Sequence, residues 1–195
     1  MKIAFLIGDF PSLSETFILD QITGLLQQGC QIDIYATRPK SSTKIHSKID
    51  QYQLLENVYY YPNIPNLYPI RFLKLVLLIF INFLKDPIII LRSLNIFRHY
   101  RLASSLRLFY ATVPFIQRRP HYDVIQCHFG NNGILGLKLR QIGAISGKLY
   151  TTFHGRDMSH YLAEAGDRVY SELFSEGDFF LPISEHWRKR LIELG

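Results

Sequence analysis

Lys148-Leu149-Tyr150-Thr151-Thr152-Phe153-His154-Gly155-Arg156-Asp157 begins as an apolar, β-prone run and ends abruptly on ionisable residues. Such a run reads as a buried strand. A strand that stops on His, Gly, Arg and Asp sets them at the carboxyl edge of a sheet, where ligands bind in open α/β folds. Three other runs end in the same way. Lys2 to Ile7 leads into Gly8-Asp9-Phe10-Pro11, and Asp123 to Cys127 leads into His128-Phe129-Gly130-Asn131-Asn132-Gly133. Phe179 to Leu181 leads into Pro182-Ile183-Ser184-Glu185. If the sheet is parallel, these four loops open on one edge and converge on one cleft.

The segments between the strands have helical character. Ser12-Leu13-Ser14-Glu15 fits a capping box, which predicts a helix starting there. It would run through Phe17, Ile18, Ile22, Leu25 and Leu26 and stop at Gly29. Gln31 to Ala36 and Asn57 to Tyr61 read as further strands, and Lys40 to Gln53 as loop with a short helix. Leu67 to Ile116 is helical in composition, with a break at Pro87. Ile134 to Ile142, Arg168 to Phe174 and Glu185 to Leu194 complete the helices. Strands alternating with helices predict an α/β fold, a Rossmann-like doubly wound parallel sheet, with a basic helical insertion at about 66–119.

Composition narrows the class. A hydrophobic content of 48% with 19% charged residues excludes disorder, and 195 residues suffice for one core. Cys30 and Cys127 have no zinc or redox spacing, and Met1-Lys2 leads directly into a strand. A cytoplasmic protein with reduced thiols and no signal peptide is the expectation. The net charge of +6 is concentrated in the insertion, where nine Lys and Arg face Asp86 alone. That segment carries +8 and the rest of the chain −2. Its apolar run, Leu75 to Ile81, is bounded by Lys74, Asn82, Lys85 and Pro87, which argues against a span of about 20 residues. Two readings stay open: an insertion packed on the sheet, or a peripheral surface for an anionic membrane. No nucleic acid partner is expected, because no RNA- or zinc-finger-type pattern accompanies the charge.

The candidate chemistry rests on the strand ends. Neither a dinucleotide fingerprint nor a P-loop is present, and no nucleophile elbow. His128 and His154 stand at equivalent strand ends, where histidine is unexpected by propensity, each with a glycine close behind. A lone histidine there would read as structural; a pair favours function. No third ligand is spaced for a metal site. Asp157 reads either as an orienter of His154, as an acceptor for a substrate hydroxyl, or as a helix cap.

These motifs resemble the amino-terminal, acceptor-side half of GT-B glycosyltransferases of the large retaining group 4, above all those of exopolysaccharide and colanic-acid-type pathways. The resemblance is carried by Phe10-Pro11-Ser12-Leu13-Ser14-Glu15-Thr16-Phe17, His128-Phe129-Gly130 with Gly133, Thr152-Phe153-His154-Gly155-Arg156-Asp157 and Leu181-Pro182-Ile183-Ser184. It implies His154 as the catalytic residue contacting the transferred sugar. It implies Ser14, Glu15, Thr16, His128, Gly130, Asn131 and Asp157 around acceptor and donor phosphate. It further implies a glycan or lipid-linked acceptor, a nucleotide-sugar co-substrate held by a second domain, and no metal or other cofactor. That donor-binding domain is absent from residues 1–195. A non-catalytic, truncated or split module that binds a membrane or partner chain is therefore the alternative expectation, and a GT-B epimerase a third.

Overall fold

The computed structural model describes residues 1–12, 15–39 and 46–195. Its centre is a six-stranded sheet in the order β3-β2-β1-β4-β5-β6, with every neighbouring pair parallel. The strands are β1 (Lys2–Asp9), β2 (Gln31–Thr37), β3 (Val58–Tyr60), β4 (His121–His128), β5 (Ser146–Phe153) and β6 (Phe179–Pro182). The strand order reverses between β1 and β4, so the crevice of a doubly wound sheet opens there, outside their carboxyl ends.

Alternation along the strands builds two cores. Ile3, Phe5 and Ile7 point to one face with Ile32 and Ile34, and α1 (Thr16–Gln27) covers them through Ile18, Leu19 and Ile22. Ala4, Leu6, Ile125, Cys127 and Leu149 point to the other face. There α7 (Gly130–Gln141) lies unusually close. A Cβ on Gly133 would meet Thr151 at 2.7 Å, and one on Gly136 would meet the Cys127 sulfur at 2.7 Å. Glycines at i, i+3 and i+6 thus let the helix axis approach the sheet.

Between β2 and β3 sits α2 (Ser47–Gln51). Between β3 and β4 run α3 (Tyr68–Asn82), α4 (Pro87–Ser93), α5 (Ile96–Ser104) and α6 (Arg107–Thr112); α3, α4 and α6 share a satellite core of Leu75, Ile90, Phe109 and Tyr110, joined by Leu106. Pro87 stands at the first turn of α4, where its missing N–H costs nothing. Asp86 caps that helix, accepting the Ile89 N–H at 3.3 Å, and pairs with Arg119, whose guanidinium holds the carboxyl below its ordinary range. Three short helices follow β5: α8 (Gly155–Met158), α9 (His160–Ala165) and α10 (Ser171–Glu176). After β6, α11 (Glu185–Leu194) begins at Ser184, whose hydroxyl accepts the Trp187 N–H.

Two boundaries differ from expectation. The capping box does not start α1 at Ser12; the helix begins at Thr16 with Glu15 as its cap, and the Glu15 side chain makes no capping bond. The Phe10 N–H still bonds the Thr37 carbonyl at 3.0 Å, so the chain keeps a strand-like course beyond β1 before it can turn. Leu13 and Ser14, from the same motif, lie outside the described residues, as do 40–45. The second difference is α7, which starts at Gly130 rather than Ile134. Propensity disfavours Gly-Asn-Asn-Gly as a helix start, and close packing on the sheet overrides it.

Candidate functional site

β4 and β5 pair with His128 opposite Thr152, which carries His154 to the same end of the sheet. The two imidazoles meet there. His128 Nδ1 lies 3.1 Å from His154 Nε2, and the rings stack with centroids 5.3 Å apart. Phenylalanines enclose the pair: Phe5 stacks on His128 at 5.9 Å, and Phe17 and Phe129 lie 4.7 and 4.5 Å from His154. His128 is 2% exposed, whereas His154 is half-buried.

Burial, and then the neighbouring His154, pushes the His128 imidazole down to about 3, and burial lowers His154 as well. Both rings are therefore neutral near pH 7, and one proton lies in the bond between them. His128 Nε2 is buried without a partner among the described residues. An unpaired lone pair there costs less than an unpaired N–H. That favours His128 Nδ1–H as donor and leaves His154 as its Nδ1–H tautomer, a neutral ring with one N–H to offer.

Asp157 sits beneath this pair. Its Oδ2 accepts the Gly130 N–H at 2.8 Å, and its Oδ1 is buried without a partner among the described residues. Burial pushes the carboxyl up to about 6, against backbone N–H groups of Gly130, Asp157, His154 and Met158 that pull it down. Tyr170 braces the arrangement: its hydroxyl donates to the Asp157 carbonyl at 3.0 Å, and its ring fills the space over Gly130, where a Cβ would lie 2.4 Å away. Gly155 is similarly closed by Trp187 at 2.9 Å.

A cleft of about 320 Å³ opens beside the pair, lined by Glu15, Phe129, Asn131, Arg156, Asp157 and Tyr161 among others. Burial first, and Asp9 second, raise the Glu15 carboxyl. The described residues contain no group of three His, Cys, Asp or Glu side chains arranged to hold a metal ion.

The structure thus brings together Glu15, His128, Asn131, His154 and Asp157 from β4, β5, α7, α8 and the loop before α1. Glu15, Asn131 and Asp157 reach the cleft wall; His154 is half-buried behind Phe129 and is not itself among the cleft residues, and Gly130 and His128 are buried. Thr16 is exposed at the start of α1 and is not among the cleft residues, and Ser14 lies outside the described residues.

No protein-family model matches the chain. Over its full length the chain is 31% identical to the amylovoran biosynthesis glycosyltransferase AmsK of Erwinia amylovora. It is 31% identical to WcaL of Salmonella typhimurium and 32% identical to WcaL of Escherichia coli, both provisionally named as colanic acid biosynthesis glycosyltransferases. The chain is a homologue of these glycosyltransferases. It spans about half the length of the curated relatives it matches, 48% in each case.

Three residues of this glycosyltransferase homologue were not singled out from sequence. Phe17 and Phe129 enclose His154, and Tyr170 holds both Gly130 and Asp157. Phe129 has a signal only in the backbone: its φ of 70° is rare outside glycine, and such outliers cluster at functional sites. The Phe129 N–H bonds the Thr152 carbonyl at 2.9 Å, which holds that conformation.

Proposed function

We propose that the chain is the acceptor-side half of a retaining GT-B glycosyltransferase. It would help transfer a sugar from a nucleotide-sugar to a glycan or lipid-linked acceptor during surface polysaccharide assembly, on the cytoplasmic face of an anionic membrane. The observation that carries this reading is the neutral His128–His154 pair at the sheet's switch point, in a chain related throughout to exopolysaccharide glycosyltransferases. A neutral His154 with its Nδ1–H free can hold a sugar oxygen without placing a cation beside a centre where positive charge develops. His128 fixes the tautomer from behind and acts as a positioning residue. Glu15, Asn131 and Asp157 offer hydroxyl partners along the cleft. Ser14 and Thr16 are proposed on the resemblance alone, to border the donor phosphates. No resident metal or other cofactor is invoked; the second domain would neutralise the leaving diphosphate.

The test is sugar incorporation from a panel of nucleotide-sugars into lipid-extractable product, using native host membranes as the source of acceptor. His154→Ala should lower turnover by about 10²-fold or more with an unchanged circular dichroism spectrum. Near wild-type turnover in that variant would remove His154 from the reaction.

A further inference from the structure

We propose that α3 docks on an anionic phospholipid leaflet, lying flat with its outward face among the acyl chains and the neighbouring cations among the phosphates. The helix is amphipathic in the inverse of the usual sense. Ile70, Leu73, Leu77, Phe80 and Leu84 recur along α3 and the turn after it at intervals of three and four residues, and so form one stripe. The stripe points to solvent: all five are exposed, Phe80 at 83% and Leu84 at 94%. Polar groups turn inward instead. Arg71 donates to the Pro65 and Ser105 carbonyls, Lys74 to the Asn63 carbonyl, and buried Asn82 to the Leu78 carbonyl. On α4 and α5, Ile88, Leu91 and Phe97 continue the exposed apolar character. Soluble monomers rarely leave an apolar face of this extent in water.

Charge identifies the occupant. The only acid in the +8 segment, Asp86, is already engaged by Arg119. Lys85, Arg92, Arg98 and Arg107 are exposed, and among the described residues no ion pair reaches them. A protein partner covering the stripe would have to supply a matching set of acids opposite these unpaired cations. An anionic leaflet accommodates both features, hydrocarbon for the stripe and phosphate for the cations. A small pocket on the same segment is suited to a headgroup phosphate. Arg92, Asn95 and Arg98 line it, against Gln141 and Ile142, with His99, which is 3% exposed and whose Nδ1 has no partner among the described residues. At about 1.5 Å per residue α3 is roughly 22 Å long, which suits a helix lying in the interface. No helix among the described residues is long and apolar enough to cross a membrane.

This inference rests on the sugar-transfer reading for its purpose, the presentation of a lipid-linked acceptor to the cleft, but not for the binding itself. The experiment is co-sedimentation of the native-length protein with vesicles of phosphatidylcholine, with and without phosphatidylglycerol, at low and at molar salt. The wild type should partition onto the anionic vesicles at low salt. The triple variant Leu73→Ser, Phe80→Ser, Leu84→Ser and the double variant Arg92→Glu, Arg98→Glu should each partition at least about tenfold less. The triple variant changes surface only, so its circular dichroism melt should not move; Arg92→Glu also removes the bond from Arg92 to the Ile142 carbonyl, so the double variant's melt should fall by no more than the loss of one hydrogen bond. Absence of wild-type retention, or retention unaffected by the triple variant, overturns the proposal. A dimer that the triple variant dissociates, without vesicle binding, assigns the stripe to a second copy instead. Shielding of the Phe80 and Leu84 side chains from hydroxyl-radical footprinting in the vesicle-free monomer would assign the stripe to another part of the same polypeptide. Transfer to a soluble acceptor analogue, assayed in parallel, separates the two readings: docking can fail with transfer intact, and transfer can fail with docking intact.

Discussion

Replacing Asp157 with asparagine should make the fold less sensitive to rising pH, so that the variant gains on wild type from pH 4 to pH 8. The carboxyl is 4% exposed, keeps one oxygen without a partner, and has its pKa raised by burial from 3.8 to about 6. A value raised on folding means that the fold prefers the protonated form. The contribution is therefore fully present below pH 3.8 and is lost as the pH rises through 6. A gap of about two units corresponds to ~3 kcal/mol at about 1.36 kcal/mol per unit. The amide is neutral at every pH and can accept the Gly130 N–H through its oxygen, but its N–H₂ takes the place of an oxygen that has no partner among the described residues and costs about 1–3 kcal/mol at every pH. Urea unfolding at a series of pH values measures the difference. The stability of the variant relative to wild type should rise by about 2.5 kcal/mol between pH 4 and pH 8. Glu15, raised in the same direction, is present in both proteins and cancels. A gap that does not change with pH, or one that narrows as the pH rises, would refute the account of Asp157.

Other changes test neighbouring parts of the structure. His128 is depressed on folding to about 3, so its contribution is present above pH 6.5 and is lost as the pH falls below it. His128→Gln should remove about 2 kcal/mol of the loss otherwise seen between pH 7 and pH 5; an unaltered acid limb in the urea series contradicts this. Gly130→Ala drives a methyl into the Tyr170 ring and should cost ~1–3 kcal/mol, read as a lower thermal midpoint, with partial recovery when Tyr170 is also reduced to Leu. Arg140 ties α7 to the Asp178 carboxylate and to the Glu176 and Gly147 carbonyls. Arg140→Ala should therefore speed amide exchange in β6 more than in β1, and equal acceleration in the two strands would place its role elsewhere.

The sheet was legible because its strands are buried on both faces and therefore read as continuous apolar runs. The convergence of His128 and His154 followed from parallel topology alone, since equivalent strand ends in such a sheet share an edge. Their direct contact did not follow, because it depends on register: His128 opposite Thr152 is a property of the pair β4–β5, not of either strand. The start of α7 was missed for a different reason. From sequence, Gly130 and Gly133 belong to the loop after the strand, although with Gly136 they form a spacing of three that is also that of a helix face pressed on a sheet. Tyr170 belongs to no motif, and Phe17 closes the first one but lies far from the histidines in sequence, so only tertiary packing exposes their part. The apolar stripe of α3 was visible as a pattern, but a pattern does not say which face looks outward.

Phe129 holds strain beside the proposed reaction centre. Its positive φ costs about 1–3 kcal/mol in a residue that carries a side chain, and glycine would relieve that cost. Its ring is one of the two that enclose His154 and also packs on the core beneath α1, and glycine would forfeit both. Burial of a phenylalanine is worth about 1.5–3 kcal/mol, as much as the strain. Packing thus offsets the strain locally, so evolution for heat resistance alone would leave this residue in place and keep the wall beside His154 with it.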